Sequence, residues 1–88
     1  MAKYELTFVF DKKNKELPKR LEDFIKSAKA KVIKEEDWGV KSLAYPINKL
    51  EEAKYLYFKV EAEPKTIKEL EEKIRLEEDL LRSLVVRV

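Results

Sequence analysis

The sequence predicts an α+β fold in which two helices cover one face of a four-stranded antiparallel sheet. Three observations carry this expectation. Two stretches, Tyr4 to Phe10 and Tyr55 to Ala62, alternate apolar and polar residues with period two. Two others repeat apolar residues at helical spacing, each beside a proline. The elements follow the order strand, helix, strand, strand, helix, strand within 88 residues, enough for one domain over residues 1–88.

In the first strand Tyr4, Leu6, Phe8 and Phe10 share one side, and Glu5, Thr7 and Val9 share the other. The polar stretch from Asp11 to Asn14 ends it. Leu17, Leu21, Phe24, Ile25 and Ala28 then form a helical stripe ending near Lys29, with Pro18 in the first turn, where a missing N–H costs nothing. Residues 31–47 predict a strand interrupted by Glu35-Glu36-Asp37 and Trp38-Gly39. The single glycine marks a bulge or bend there, and Pro46, which donates no ladder hydrogen bond, assigns the strand to a sheet edge. A polar turn is expected from Asn48 to Lys54. In the strand that follows, Leu56, Phe58, Val60 and Ala62 alternate with Tyr55, Tyr57, Lys59 and Glu61. After Pro64, Thr66 and Glu69 have the spacing of a capping box, and Ile67, Leu70 and Ile74 form the second helical stripe. Leu84 to Val88 is strand-like, with Arg87 interrupting it.

Crossovers are right-handed, and both helical stripes need the same sheet face. The topology that satisfies both is the ferredoxin-like split βαβ arrangement, βαββαβ, with the first and third strands central and the second and fourth at the edges.

Composition narrows the function. The chain has no Cys and no His, which removes thiolate nucleophiles, imidazole bases and Cys/His metal centres. Its apolar runs fall short of a membrane span, and no signal peptide is recognised, so an intracellular protein away from membranes is expected. Charged residues make up 43% of the chain while Gln is absent, a usage that fits either a heat-adapted or a redesigned protein. The net charge of +2 hides an asymmetry: residues 12–34 carry nine Lys/Arg against three Asp/Glu, and residues 61–79 carry four against eight.

Catalysis is not expected. The carboxylates fall in runs such as Glu69-Glu71-Glu72 and Glu77-Glu78-Asp79, the pattern of solvated helix surface rather than of an acid–base pair. One glycine cannot build a phosphate-cradling loop. The loop after the first strand, Asp11-Lys12-Lys13-Asn14, lacks the Gly and Arg that a small acylphosphatase-like enzyme of this topology needs. No cofactor, metal or small-molecule substrate is implied. The helix-free sheet face is more informative: Tyr55 and Tyr57, with Lys54 and Lys59 beside them, suit stacking on bases or packing against a protein. The glycine-flanked aromatic pattern of an RNA-recognition module is missing.

The stretch Trp38-Gly39-Val40-Lys41-Ser42-Leu43-Ala44-Tyr45-Pro46-Ile47 resembles the signature of the bacterial small-ribosomal-subunit protein six family. Tyr4-Glu5, Tyr55 to Pro64, Arg75-Leu76, Leu81-Arg82 and Val85-Val86-Arg87 extend the likeness over nearly the whole chain. The resemblance implies a structural ribosomal protein of the cytoplasm. It also implies binding to the central domain of 16S rRNA together with small-subunit protein eighteen. Lys3, Lys54, Lys59, Arg82 and Arg87, on or beside the open face or its strand ends, are the candidate rRNA contacts. Tyr4 is added although alternation places it on the core side. Lys41, Leu43, Tyr45, Tyr55 and Tyr57 are the candidate protein-partner residues, and the isolated chain is expected to be a monomer.

The chain departs from the family pattern where turn glycines are common. Lys29 and Ala53 stand at those places, each costing about 1 kcal/mol if its φ is positive. Ser42 replaces a longer polar or basic side chain. With the missing Gln and His, these departures also suit an engineered scaffold on the same fold with no natural partner.

Overall fold

The computed structural model describes residues 2–47 and 49–88; the side chains of Ala44, Pro46 and Ile47 fall outside the description. The elements are β1 (Ala2–Phe10), α1 (Leu17–Ser27), β2 (Lys31–Ile47), β3 (Leu50–Ala62), α2 (Pro64–Arg75) and β4 (Leu80–Arg87). The sheet order is β2-β3-β1-β4, and every neighbouring pair is antiparallel. The expected fold class, central strands and edge strands are all present.

Alternation places the core. Leu6, Phe8 and Phe10 of β1 and Phe58 and Val60 of β3 are fully buried under Leu17, Leu21 and Ile25 of α1 and Ile67, Leu70 and Ile74 of α2. Phe8 meets Phe58 edge to face at 5.9 Å between ring centres, the arrangement that the ring quadrupoles favour. No helix among the described residues is long and apolar enough to cross a membrane.

The helix ends show how local chemistry sets the boundaries. The Asn14 side-chain oxygen accepts the Leu17 N–H at 3.1 Å at the start of α1. At its end Lys29 turns left-handed with φ 63°. Its N–H bonds to the Lys26 carbonyl, and the Ala30 N–H reaches back to the Ile25 carbonyl. These two bonds form a Schellman motif, whose C′ position favours glycine. The capping box expected at Thr66 and Glu69 is not used. Pro64 opens α2, so the N-cap is Glu63, three residues before Thr66 and without a side-chain bond, and Thr66 lies in the first turn. Proline sets the helical φ and has no N–H to leave unsatisfied, so it starts the helix unaided.

The β2–β3 connection is tighter than expected. Ile47 pairs with Leu50, so the expected turn from Asn48 to Lys54 shrinks to its first residues, of which Asn48 lies outside the described residues. The second positive φ of a non-glycine residue is at Lys49, 65°. Ala53 is a fully buried residue inside β3, so the left-handed position falls four residues before the one the family pattern suggested.

Candidate functional site

The helix-free face is built rung by rung from cross-strand partners, because residues directly opposite share a face. One rung holds Lys34 of β2, Lys59 of β3, Glu5 of β1 and Val86 of β4. The next holds Glu36, Tyr57, Thr7 and Leu84; the next Gly39, Tyr55, Val9 and Arg82. Lys3 lies beyond the first rung, opposite Glu61.

Register shifts in β2 decide which of its side chains arrive here. Uninterrupted alternation from the core-facing Val32 sends Lys34 to the helix side. The ladder slips between Val32 and Lys34, and again between Asp37 and Gly39. The first slip brings Lys34 and Glu36 onto the open face. The second lifts Trp38 out of the ladder, and its ring lies flat on Tyr57 with centres 5.0 Å apart and planes 11° apart. Gly39, at φ 75°, supplies the left-handed residue of this bulge. Its N–H donates to Asp37 Oδ1 at 2.8 Å.

The result is an aromatic shelf edged by charge. Lys41 Nζ stands 5.1 Å from the centre of the Trp38 ring and 5.6 Å from that of Tyr55, within cation–π range of both. Trp38 Nε1–H donates to Glu36, which also pairs with Lys34 at 3.1 Å. Those two bonds, Lys34 first, hold the Glu36 carboxyl below its usual range. On the far side of the shelf the Tyr57 hydroxyl donates to Glu5. That hydrogen bond, reinforced by burial and the Glu5 charge, pushes the phenol up to about 12. Beyond Tyr55 the surface dips into a shallow depression of about 300 Å³ lined by Thr7, Val9, Tyr55, Arg82 and Leu84.

Lys3, Lys59 and Arg82 of the expected rRNA set share this face with Lys41, Tyr55 and Tyr57 of the expected partner set. Three other residues lie elsewhere. Tyr4 is 7% exposed within the core cluster. Lys54 stands opposite Phe10 and Val40, hence on the helix side, and its ammonium pairs with Asp37 at 3.0 Å. It therefore does not flank the two tyrosines. That bond, with the Gly39 N–H next, holds the Asp37 carboxyl below its usual value. Arg87 stands opposite Tyr4 on the helix side, at the strand end. Leu43 is half-buried and Tyr45 is 78% exposed, both in the stretch of β2 where pairing with β3 slips.

Sequence reasoning missed Lys34 and Trp38. Gly39 signalled an irregularity near Trp38, but no residue signalled the slip at Ile33 that turns Lys34 over.

Comparison with known proteins gives the same assignment by a different route. A family model described as ribosomal protein S6 matches residues 3–87. The chain is similar to the crystal structure of 30S ribosomal protein S6 from Thermotoga maritima, with a TM-score of 0.89 and 26% sequence identity. That match covers 99% of this chain and 87% of the other. With βαββαβ topology throughout and a family match over nearly its full length, the chain belongs to the ribosomal protein S6 family, structural rather than enzymatic components of the small ribosomal subunit.

Proposed function

We propose that the chain binds the central domain of 16S rRNA together with small-subunit protein eighteen, within the cytoplasmic ribosome. The observation that carries this reading is the juxtaposition of Lys34 and Lys59, directly opposite each other on the open face. Lys34 is paired with Glu36 at 3.1 Å and Lys59 stands opposite Glu5, so each charge is partly offset within the face, and a phosphate adds an acceptor shared by both lysines. Lys3 and Arg82 extend the positive groups along the same face. Arg87 approaches RNA only from the strand end and Lys54 only from the helix side, and Tyr4 supports the strand from the core. The protein partner takes the aromatic shelf: Trp38, Tyr55 and Tyr57 supply rigid apolar area, Lys41 caps it, and Leu43 and Tyr45 continue it along the β2 edge. Alone, the chain is a monomer.

Salt dependence tests the phosphate assignment. Each lost phosphate contact lowers the slope of log K against log salt by about 0.7–0.9. Replacing Lys3, Lys59 and Arg82 with Ala should therefore flatten the slope for a central-domain fragment by about 2–3. Unchanged affinity and slope in the folded triple variant would remove these residues from the RNA interface.

A further inference from the structure

The two edges of the sheet are built differently. β2 carries three register shifts, a tryptophan folded over its face, and a run of charged residues from Lys34 to Asp37. Those features blunt an edge against strand addition. β4 lacks the tryptophan cover and the charge run. Its one irregularity lies at its start, opposite Val9 and Phe10, and the stretch from Arg82 to Arg87 pairs continuously with β1. Leu84, Val86 and Val88 are 59%, 43% and 63% exposed.

The direction of the free backbone groups follows from one bond. The Val88 N–H donates to the Lys3 carbonyl at 2.9 Å, and Arg87 stands opposite Tyr4. In an antiparallel ladder, hydrogen-bonded and non-bonded pairs alternate. Val86, Leu84 and Arg82 therefore bond inward to β1, and Ser83, Val85 and Arg87 present N–H and C=O outward. On the helix side, Glu71, Ile74, Arg75, Ser83 and Val85 line a groove of about 220 Å³ between α2 and this edge. An added strand thus meets Leu84 and Val86 on the open face, and Val85 with the charged residues Glu71 and Arg75 on the helix side.

Charge selects the occupant. Residues 80–88 contain Arg82 and Arg87 and no acid. The nearest carboxylate on the open face, Glu5 opposite Val86, is engaged by the Tyr57 hydroxyl. A second copy paired antiparallel brings two more arginines and no acid to the same edge, so it leaves Arg82 and Arg87 without a counter-charge. Arg82 and Arg87 are five positions apart and so project from opposite faces. We infer that the β4 edge accepts an extended protein segment, added antiparallel as a fifth strand, with acidic residues five positions apart enclosing an apolar centre. This inference goes beyond the rRNA reading, because it uses the outward backbone of β4 rather than the sheet face.

The probe is the capped peptide Thr-Glu-Val-Val-Val-Thr-Glu-Thr, titrated into the full isotope-labelled chain without RNA and followed by amide chemical shift and hydrogen exchange. Slowed exchange and shifted resonances at Ser83, Val85 and Arg87 are expected, and the same peptide with Lys for both Glu should bind at least about tenfold more weakly. Ser83→Pro removes one outward N–H and leaves the inward ladder intact. It should keep the wild-type melting temperature and lose peptide affinity by about tenfold or more. The Arg82→Glu/Arg87→Glu variant should reverse the preference to the Lys peptide. Equal affinity for Ser83→Pro, shifts centred on Thr7 and Tyr57, or no shift at millimolar peptide would overturn the inference. So would outward-amide protection by an rRNA fragment or by self-association alone. A failure of the rRNA salt series leaves these peptide readouts untouched, so the two readings fail separately.

Discussion

Replacing Lys29 with glycine should stabilise the protein. Lys29 sits at the C′ position of α1 with φ 63° and an exposed side chain, and it joins none of the ion pairs found among the described residues. Both Schellman bonds are made by backbone groups, Lys29 N–H to Lys26 and Ala30 N–H to Ile25, so the substitution removes neither. A β-carbon in this conformation costs about 1–2 kcal/mol. Glycine loses about 0.5–1 kcal/mol more backbone entropy on folding. The difference leaves a net gain of about 0.5–1 kcal/mol. For a domain of this size that gain corresponds to a rise of about 2–8 °C in melting temperature. Lys29→Ala separates the backbone effect from loss of the lysine side chain, because alanine keeps the β-carbon. Urea unfolding of the three proteins should place glycine above both lysine and alanine with a common m-value. If Lys29→Gly is no more stable than Lys29→Ala, the left-handed turn is not the source of the cost and the reasoning fails.

Other expectations rest on the open face and on the loop after α2. Tyr57 should ionise near pH 12 by absorbance at alkaline pH, and Glu5→Gln should lower its midpoint. Because the folded value lies above the unfolded one, the stabilisation is full below about pH 10 and fades as pH rises toward 12; a Tyr57 midpoint unmoved by Glu5→Gln would refute the Glu5 bond. Arg20 donates to Asp79 at 2.6 Å and lowers that carboxyl. The associated stability is present above the unfolded carboxylate range and is lost as pH falls through the folded value, so Arg20→Gln should make acid unfolding less dependent on this group. Trp38→Ala should weaken the protein partner by about thirtyfold, the scale of an aromatic hot spot, while costing the fold only about 0.5–1.5 kcal/mol. As the single tryptophan, Trp38 also reports partner binding directly by a change in fluorescence emission.

The sheet and core were legible because alternation in β1 and β3 is uninterrupted. Phe8 and Phe58, or Glu5 and Tyr57, could be assigned to opposite faces from their spacing alone. The same rule already separates Lys54 from Tyr55 and Tyr57, and the structure places it accordingly beside Asp37. β2 was legible only as an irregular edge strand. Each extra residue in a ladder reverses the facing of everything after it. The slip at Ile33 leaves no compositional mark, so Lys34 could not be placed opposite Lys59. Trp38 lay in a segment rightly identified as irregular, yet where its ring rests depends on Tyr57, nineteen positions away in sequence. Helix starts followed a similar logic. Thr66 and Glu69 had the right spacing, but Pro64 had already met the geometric requirement of a first turn.

The role proposed for this open face is to bind rRNA in concert with a protein partner. It is tested most directly by measuring binding of the chain to a central-domain rRNA fragment, with and without small-subunit protein eighteen, across a salt series. Tight, salt-dependent binding that appears only with the partner, accompanied by a change in Trp38 emission, is the predicted result. A folded monomer that binds neither the RNA nor the partner at any salt concentration would contradict it.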